Sequence, residues 1–236
     1  MIKAYYDLHV HSCLSPCADD DMTPNNIVNM AIISGLDIIA ITDHNSCQNC
    51  RAVMEAGNKL GLCVVPGMEL CTSEEIHVVC LFFNIDDAER FELYVKENSI
   101  IIENNEKVFG NQILMDCNDN KVGNEKRLLL SATNISICDM NNLMLKFNGI
   151  VFPAHVDRNS YSILSVLGDF SDETKFSCAE ITNMISKPNV VAKHKKSENI
   201  RFICNSDAHR LEDIAKVHNY IDLENCKIFD LINELK

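Results

Sequence analysis

The chain has 236 residues, of which 47% are hydrophobic, and its formal net charge at pH 7 is −13. This length fits one large domain, and we expect a single domain over residues 1–236. The acidic balance argues against long nucleic acid as a partner, because affinity for nucleic acid comes largely from Lys and Arg on phosphates. A local basic pocket for a small phosphorylated substrate is compatible with this charge.

The amino terminus does not resemble a targeting segment. Residues 1–12 lack the basic and apolar regions of a signal peptide. No apolar run approaches the roughly 18 residues of a membrane span. We therefore expect a cytoplasmic protein without a membrane partner.

Apolar runs of strand type alternate with helical segments along the chain. The first run, residues 5–10, precedes a helix that starts at Thr23 and Pro24, because Thr is a good N-cap and Pro suits the first helical position. Glycines at 35 and 61 end the first two predicted helices. The later predicted strands are residues 37–42, 62–66, 76–83, 150–154, 179–182 and 201–205, and the later predicted helices are residues 49–60, 86–108, 136–147 and 227–235. This alternation predicts an α/β fold with a largely parallel sheet, closed into a barrel or a barrel-like sheet.

Histidines concentrate where the predicted strands end. Only two of the eight, His194 and His218, lie elsewhere, and the other six are His9, His11, His44, His77, His155 and His209. The carboxyl ends of parallel strands converge on one site, so these side chains are expected to meet. A spacing of two residues, as between His9 and His11 or between Asp207 and His209, puts both side chains on one face of a strand.

This donor set predicts a metal centre. Imidazole nitrogens together with carboxylate oxygens suit Zn²⁺, Mn²⁺ or Fe²⁺ better than Ca²⁺. The candidate ligands exceed what one tetrahedral ion needs, so we expect two or three divalent ions, with Glu69 as a bridging carboxylate.

The same residues lie in a series of short motifs. In chain order the motifs are D-L-H-V-H-S (7–12), I-T-D-H-N (41–45), P-G-M-E-L (66–70), E-I-H-V (75–78), P-A-H-V (153–156) and N-S-D-A-H-R (205–210). This ordered set resembles the PHP family (polymerase and histidinol phosphatase domains). The resemblance implies a distorted (β/α)7 barrel of the PHP type, with a trinuclear metal site at the carboxyl ends of the strands.

Carried over by position, the resemblance implies the ligands of each ion. The first ion would be held by His9, His11, Glu69 and Asp207, the second by His44, His209 and an acidic residue, and the third by Glu69, His77 and His155. The acidic residue lies where the sequence departs from the family, because the family's S-D-G-x-x-T-P stretch is replaced here by S-P-C-A-D-D-D-M-T-P. Counting back from Thr23 and Pro24 favours Asp19, with Asp20 and Asp21 as alternatives.

The expected activity is that of a phosphoric ester hydrolase. We expect metal-bound hydroxide to attack a small phosphomonoester, or the phosphoester of a nucleotide or short oligonucleotide. Asp207, His209 and Arg158 are the expected catalytic residues, and Arg158 and Arg210 are expected to bind the substrate phosphate. The alternatives are a non-catalytic metal-binding regulatory module of the same fold and a 5'-3' exonuclease acting on short nucleic acid.

Four cysteines follow the first two strand motifs, as C-x-x-x-C and C-x-x-C. They are Cys13, Cys17, Cys47 and Cys50. Two interpretations stay open: an additional Zn²⁺ or iron–sulfur cluster bound by these thiolates, or loop thiols without a metal.

Overall fold

A computed structural model of the chain describes residues 1–171, 173–214 and 219–236. Its strands are β1 (Ile2–Val10), β2 (Ile38–Ile41), β3 (Cys63–Cys71), β4 (His77–Phe82), β5 (Ile113–Met115), β6 (Lys121–Asn124), β7 (Gly149–Pro153), β8 (Cys178–Glu180), β9 (Arg201–Ile203) and β10 (Asn219–Leu223). Its helices are α1 (Pro24–Ile33), α2 (Cys50–Leu60), α3 (Ile85–Glu97), α4 (Glu106–Phe109), α5 (Met140–Lys146), α6 (Ile163–Leu167), α7 (Lys187–Lys193) and α8 (Ile228–Leu235).

A distorted barrel is formed by seven strands, namely β1, β2, β3, β4, β7, β8 and β9, and β10 pairs in addition with β1. A six-stranded sheet has the order β10-β1-β2-β3-β4-β7, and β8 pairs with β9 in a separate parallel ladder. Backbone hydrogen bonds join the two: the N–H of Val156 donates to the Glu180 carbonyl at 2.8 Å, the N–H of His11 donates to the Ala208 carbonyl at 3.0 Å, and the N–H of Ala208 donates to the His9 carbonyl at 3.3 Å. The predicted α/β class and barrel are confirmed.

The sheet is less parallel than the sequence predicts. β1, β2 and β3 are parallel, but β4 runs antiparallel to both β3 and β7. The reason is that β3 and β4 are joined by a tight turn rather than by a crossover helix. A further strand, β10, was not predicted and pairs antiparallel with β1.

The predicted helix over residues 86–108 is wrong in its second half. α3 ends at Glu97, and the chain then forms isolated antiparallel bridges from Ser99 to Thr133 and from Glu103 to Arg127. These tertiary pairings override the helical propensity of the segment. The predicted start of α1 at Pro24 and the end of α2 at Gly61, whose φ is +80°, are confirmed.

The core has two apolar layers. One layer lies between the barrel and the helices that surround it. The other takes side chains from one face of the barrel strands, among them Leu8, Val65 and Phe152, together with Leu231 and Ile232 of α8. The second layer fills the barrel interior, so the polar residues at the strand ends lie above closely packed apolar side chains. Among the described residues, no helix has the length and apolar character that crossing a bilayer requires.

Candidate metal centre

Strand alternation brings polar side chains to one end of the barrel interior. Val65 of β3 belongs to the interior layer, and Glu69, four residues later, lies on the same face. On β4, Val79 and Leu81 belong to the interior layer, and His77 begins the strand on that face. The inward positions thus change from apolar to ionisable at this end of both strands.

β1 reaches the same place through a local irregularity. Leu8 belongs to the interior layer, whereas Val10 belongs to the outer layer, although simple alternation would put both on one face. The register with β2 shifts between Asp7 and Val10. This bulge re-aims the strand end, so that both His9 and His11 face the centre.

Four donor atoms converge in a first group. They are the Nε2 atoms of His9 and His11 and the carboxylates of Glu69 and Asp207; Oδ1 of Asp207 faces both imidazoles, whereas Glu69 presents Oε1 to His9 and Oε2 to His11. The two Nε2 atoms are 3.2 Å apart, and each lies 3.2–3.3 Å from the two carboxylates. A tetrahedral ion with ligand bonds of about 2.0–2.1 Å separates its ligands by about 3.3 Å. The residues present therefore fit a divalent ion.

Hydrogen bonds orient both imidazoles of this group. Nδ1 of His9 lies 3.0 Å from Glu180 Oε2, and Nδ1 of His11 lies 2.9 Å from the Ser15 hydroxyl, which donates to Asp43 at 2.7 Å. A proton on each Nδ1 leaves the Nε2 lone pair directed at the group. Sequence reasoning missed Glu180, Ser15 and Asp43 in this role. Glu180 could have been recognised from the sequence, because a carboxylate on a short apolar strand indicates a functional role.

The charges of the group favour a cation at its centre. Burial lowers the pKa of His11, but the carboxylates of Asp207 and Glu69 outweigh it and raise the pKa to about 9. Burial also opposes ionisation of Glu69, yet the surrounding histidines lower its pKa well below the ordinary value. Among the described residues, Glu69 Oε2 and Asp207 Oδ1 are buried without a hydrogen-bond partner. Two buried carboxylates with orphaned oxygens are the donors that a divalent ion would satisfy.

Two further groups of donors adjoin the first. They are His11, His44 and His209, and His44, Glu69 and His77. Nδ1 of His77 and Nδ1 of His44 both lie 3.0 Å from Glu69 oxygens. Nε2 of His155 lies 3.3 Å from Glu69 Oε1, beside the third group but not within it. The structure thus brings together eight of the nine predicted ligands.

Asp19 is the exception. Its Oδ2 atom lies 3.6 Å from Nε of Arg210, and both side chains are more than half exposed. The structure therefore does not bring Asp19 to the histidines, and it does not direct Arg210 into the centre. The reason is the lengthened loop, which turns the acidic residues towards solvent.

Arg158, a predicted catalytic and phosphate-binding residue, lies at the mouth of the centre. Its Nη1 atom is 2.6 Å from Asp207 Oδ2, and it lines a cavity of about 130 Å³ that the histidines and Tyr161 share. Tyr161 stacks on His77 with ring centroids 4.6 Å apart. His155 and Asp207 have φ values of +30° and +53°, conformations that non-glycine residues adopt at a cost and that concentrate at functional sites.

The four loop cysteines do not form a cluster. Cys13 and Cys50 direct their thiols at backbone carbonyls, and Cys47 contacts Glu92. Burial raises the pKa of Cys13 to about 12, which disfavours the thiolate. Within the described residues, no candidate metal group includes a cysteine. Cys17 is exposed. Of the two remaining histidines, His194 pairs with Asp169 at 3.3 Å, and His218 lies outside the described residues.

Proteins that are similar to this chain include nucleases. Over 88 residues the chain is 38% identical to the 5'-3' exoribonuclease Rnm of Salmonella typhimurium. The matched segment covers 35% of this chain and 28% of that protein. The matched segment thus spans less than a third of this curated relative. The structure is similar to endonuclease Q of Pyrococcus furiosus, with a TM-score of 0.73 and 15% identity over 99% of this chain and 56% of that chain.

These similarities contradict the expectation that long nucleic acid is excluded as a partner. A second similar structure, with a TM-score of 0.69, 15% identity and coverage of 98% of this chain and 56% of that chain, is endonuclease Q in complex with a 27-mer duplex. Net charge misled because it averages the whole surface, whereas binding depends on local charge. Next to Arg158, a cavity of about 340 Å³ is lined by Lys193 and His194.

The family itself follows from a match that spans more than half of the chain. The family model of the PHP domain matches residues 7–147, which include the first four motifs and the predicted ligands His9, His11, His44, Glu69 and His77. The chain belongs to the PHP domain family.

Proposed function

We propose that the chain is a metal-dependent hydrolase that cleaves phosphodiester bonds in nucleic acid. The observation that supports it most is the convergence of His9, His11, Glu69 and Asp207 on one buried point, with Arg158 held beside them. The names of the curated relatives favour nucleic acid over a small phosphomonoester as the substrate.

Asp207 links the ion site to the proposed phosphate site. Its Oδ1 atom faces His9 and His11, and its Oδ2 atom holds the Arg158 guanidinium. Arg158 is thereby kept at the edge of the ion site, where it can bind phosphate oxygens in addition to the carboxylate. Bound divalent ions would activate a water molecule at neutral pH and neutralise charge on the phosphate.

His209 remains a neutral imidazole in this arrangement. Burial and the nearby His11 lower the pKa of His209 to about 3. Its Nδ1 atom lies 2.8 Å from the Asp207 carbonyl, so a proton on Nδ1 leaves the Nε2 lone pair for an ion or a proton. This state suits either a metal ligand or a proton acceptor near neutral pH.

The surroundings of the centre suit a nucleic-acid strand. The cavity beyond Arg158 is lined by Asn159, Asn189 and Lys193, which can donate to phosphates. Tyr161, at the mouth of the centre, has a relative exposure of 48% and offers an aromatic ring for base stacking. The proposed strand path therefore runs from Tyr161 past Arg158 into this cavity.

The test uses end-labelled RNA and DNA, single-stranded and duplex, with protein reconstituted with Mn²⁺, Zn²⁺ or Fe²⁺. We expect cleavage that chelation abolishes and that Asp207→Ala lacks while remaining folded by circular dichroism. Stepwise release of mononucleotides would indicate an exonuclease, and internal fragments would indicate an endonuclease. Turnover of p-nitrophenyl phosphate without cleavage of any nucleic acid would refute the proposed substrate.

A further inference from the structure

We propose that Asp43 is a positioning residue of the metal centre, which acts through the Ser15 hydroxyl on the ring of His11 and on the backbone of His44. This inference rests on the metal binding in the proposed function, but not on the proposed substrate. Asp43 belongs to none of the donor groups found among the described residues, so it would contribute without touching an ion.

The Asp43 carboxylate lies in a fully buried network of neutral donors. Asp43, Ser12 and Ser15 all have a relative exposure of 0%. Oδ1 of Asp43 accepts hydrogen bonds from the Ser12 N–H at 2.8 Å and from the Ser15 hydroxyl at 2.7 Å, and Oδ2 accepts from the Ser12 hydroxyl at 2.6 Å. Because these donors carry no charge, the negative charge of the carboxylate acts on the groups beyond Ser15.

The direction of the Ser12 hydroxyl indicates that both Asp43 oxygens are acceptors. The oxygen of this hydroxyl receives the N–H of Leu14 at 3.2 Å and the side-chain amide of Asn49 at 3.0 Å. Since both of its lone pairs are used, its hydrogen points at Oδ2 of Asp43. The other oxygen, Oδ1, accepts the Ser12 N–H and has a lone pair left for the Ser15 hydroxyl.

The hydrogen bonds of the Ser15 hydroxyl then fix the tautomer of His11. With its hydrogen on Asp43, the hydroxyl oxygen offers two lone pairs, which face the N–H of His44 at 3.2 Å and Nδ1 of His11 at 2.9 Å. Nδ1 of His11 must therefore carry a proton, and Nε2 is left free for an ion. A hydroxyl without Asp43 could equally well donate to Nδ1, so it is the carboxylate that selects this tautomer.

Asp43 also connects the residues that the three donor groups share. Its carbonyl accepts the N–H of Glu69 at 3.1 Å, and His44 follows it directly in the chain. His11 belongs to the first and second groups, His44 to the second and third, and Glu69 to the first and third. Each residue that belongs to two groups is thus held by Asp43, either through Ser15 or through the backbone.

Zn²⁺ affinity, measured by competition with a fluorescent chelator, tests the assignment without an activity measurement. We expect Asp43→Asn and Ser15→Ala each to weaken Zn²⁺ binding about 10- to 100-fold, the range typical of groups that support a ligand histidine. Because Asp43 acts on His11 through Ser15, the double variant should bind Zn²⁺ no more weakly than the weaker single variant. A double variant whose loss is the product of the two single losses would overturn the proposal.

Two matched controls separate this role from the loss of a buried polar group. Ser12→Ala removes a hydroxyl that also donates to Asp43 but lies outside the path to His11. Asp87→Asn neutralises another buried carboxylate, on α3, which pairs with Arg90. We expect both variants to lower the unfolding midpoint and to keep Zn²⁺ affinity close to the wild-type value. A loss of affinity in Ser12→Ala as large as in Ser15→Ala would mean that the network merely holds the loop, and the proposal would fail.

Nitrogen-15 NMR of Zn²⁺-loaded wild-type protein gives a readout that does not depend on the folding of a variant. Long-range proton–nitrogen correlations show which imidazole nitrogen carries the proton, and we expect it on Nδ1 of His11, in slow exchange with solvent. This exchange should become faster in Ser15→Ala. A proton on Nε2 of His11 in the wild-type protein would overturn the proposal.

The same measurements distinguish this inference from the proposed function. Zn²⁺ binding with the expected tautomer but without nucleic-acid cleavage would remove the proposed substrate and leave the role of Asp43 standing. Wild-type affinity in Asp43→Asn, together with cleavage of nucleic acid, would refute the role of Asp43 alone. Wild-type protein that binds no Zn²⁺, Mn²⁺ or Fe²⁺ would overturn both.

Discussion

Nδ1 of His9 lies 3.0 Å and 3.1 Å from the two carboxylate oxygens of Glu180, a residue 171 positions away in the chain. The Asn205 side chain donates to the same carboxylate at 2.7 Å, and the N–H of His155 donates to it at 3.0 Å. Glu180 therefore joins three strand ends and fixes the ring of His9. It acts on the first ion through His9, as a positioning residue.

Replacing Glu180 by Gln should weaken metal binding. The amide can keep one hydrogen bond to His9, but it loses the charge that makes the imidazole a better ligand, and such changes typically cost 10- to 100-fold in metal affinity. Competition with a fluorescent chelator measures the affinity directly. Glu55→Gln, at an exposed position of α2, is the control. Equal affinities for the two variants would exclude this role for Glu180.

Replacing Arg158 by Ala should impair substrate cleavage without loss of metal. The side chain is 46% exposed and forms its ion pair with Asp207 from outside the donor groups, so the substitution leaves those groups in place. Loss of one charge-stabilising group typically lowers turnover about 10²- to 10³-fold. Arg158→Lys should recover part of the lost turnover, because it keeps the positive charge. Recovery should be incomplete, because an ammonium group lacks the bidentate geometry of a guanidinium.

Arg90→Ala is the matched control for this experiment, because Arg90 forms a comparable exposed ion pair with Asp87 on α3. Cleavage rates and bound metal should both stay at wild-type values in this variant. If Arg158→Ala loses metal in parallel with activity, Arg158 supports Asp207 rather than the substrate.

The convergence of most of the proposed ligands could be predicted from the sequence, because strand alternation is a local property. Glu69 and His77 continue the inward faces of their own strands, and the spacing of His9 and His11 already puts them on one face. The shift of face on β1 could not be predicted in this way, since it depends on pairing with β2.

The remaining features depend on contacts between distant segments. Glu180 is recognisable only once β8 is placed beside β1. The course of the loop around Cys17 depends on hydrogen bonds to His44 and to His209, 190 positions further along than Asp19. Counting along the loop therefore selected Asp19, whereas in the folded loop the Asp19 carboxylate faces Arg210.

Removal of metal should make stability depend on pH in a defined direction. In the metal-free protein, burial lowers the pKa of His44, but Glu69 and Cys17 outweigh it and raise the pKa to about 9, as happens for His11. A raised pKa in the folded state gives stability that is fully present below the unfolded value of about 6.5 and is lost as the pH rises through about 9. Metal-free protein should therefore unfold at a lower temperature at pH 8.5 than at pH 6.5.

Thermal unfolding followed by circular dichroism checks this expectation, with each kcal/mol shifting the midpoint by about 2–4 °C for a chain of this size. Metal-loaded protein should show a smaller pH dependence, because the imidazoles bind the ions in their neutral form. The window stops at pH 8.5, since buried thiols such as Cys80, whose pKa burial raises, add a loss of stability at higher pH. A metal-free midpoint that rises between pH 6.5 and 8.5 would contradict the charge assignment of the two histidines.

Replacing Gly67 should destabilise the protein, because a glycine at this position lets β3 approach its neighbours closely, two residues before Glu69. A Cβ atom at this position would lie 2.8 Å from the Cys80 carbonyl oxygen and 2.9 Å from Cγ2 of Thr42. Overpacking of this kind costs about 1–3 kcal/mol, so Gly67→Ala should lower the unfolding midpoint by several degrees. Gly123→Ala is the matched control: it is also a strand glycine, but its nearest contact would be Cδ1 of Leu114 at an ordinary 3.7 Å. Since a backbone shift at Gly67 would also displace Glu69, metal affinity should fall in Gly67→Ala and not in Gly123→Ala.

Equal unfolding midpoints for the two variants would mean that β3 can move away from β4 without cost. The spacing of the donor atoms would then not depend on this contact.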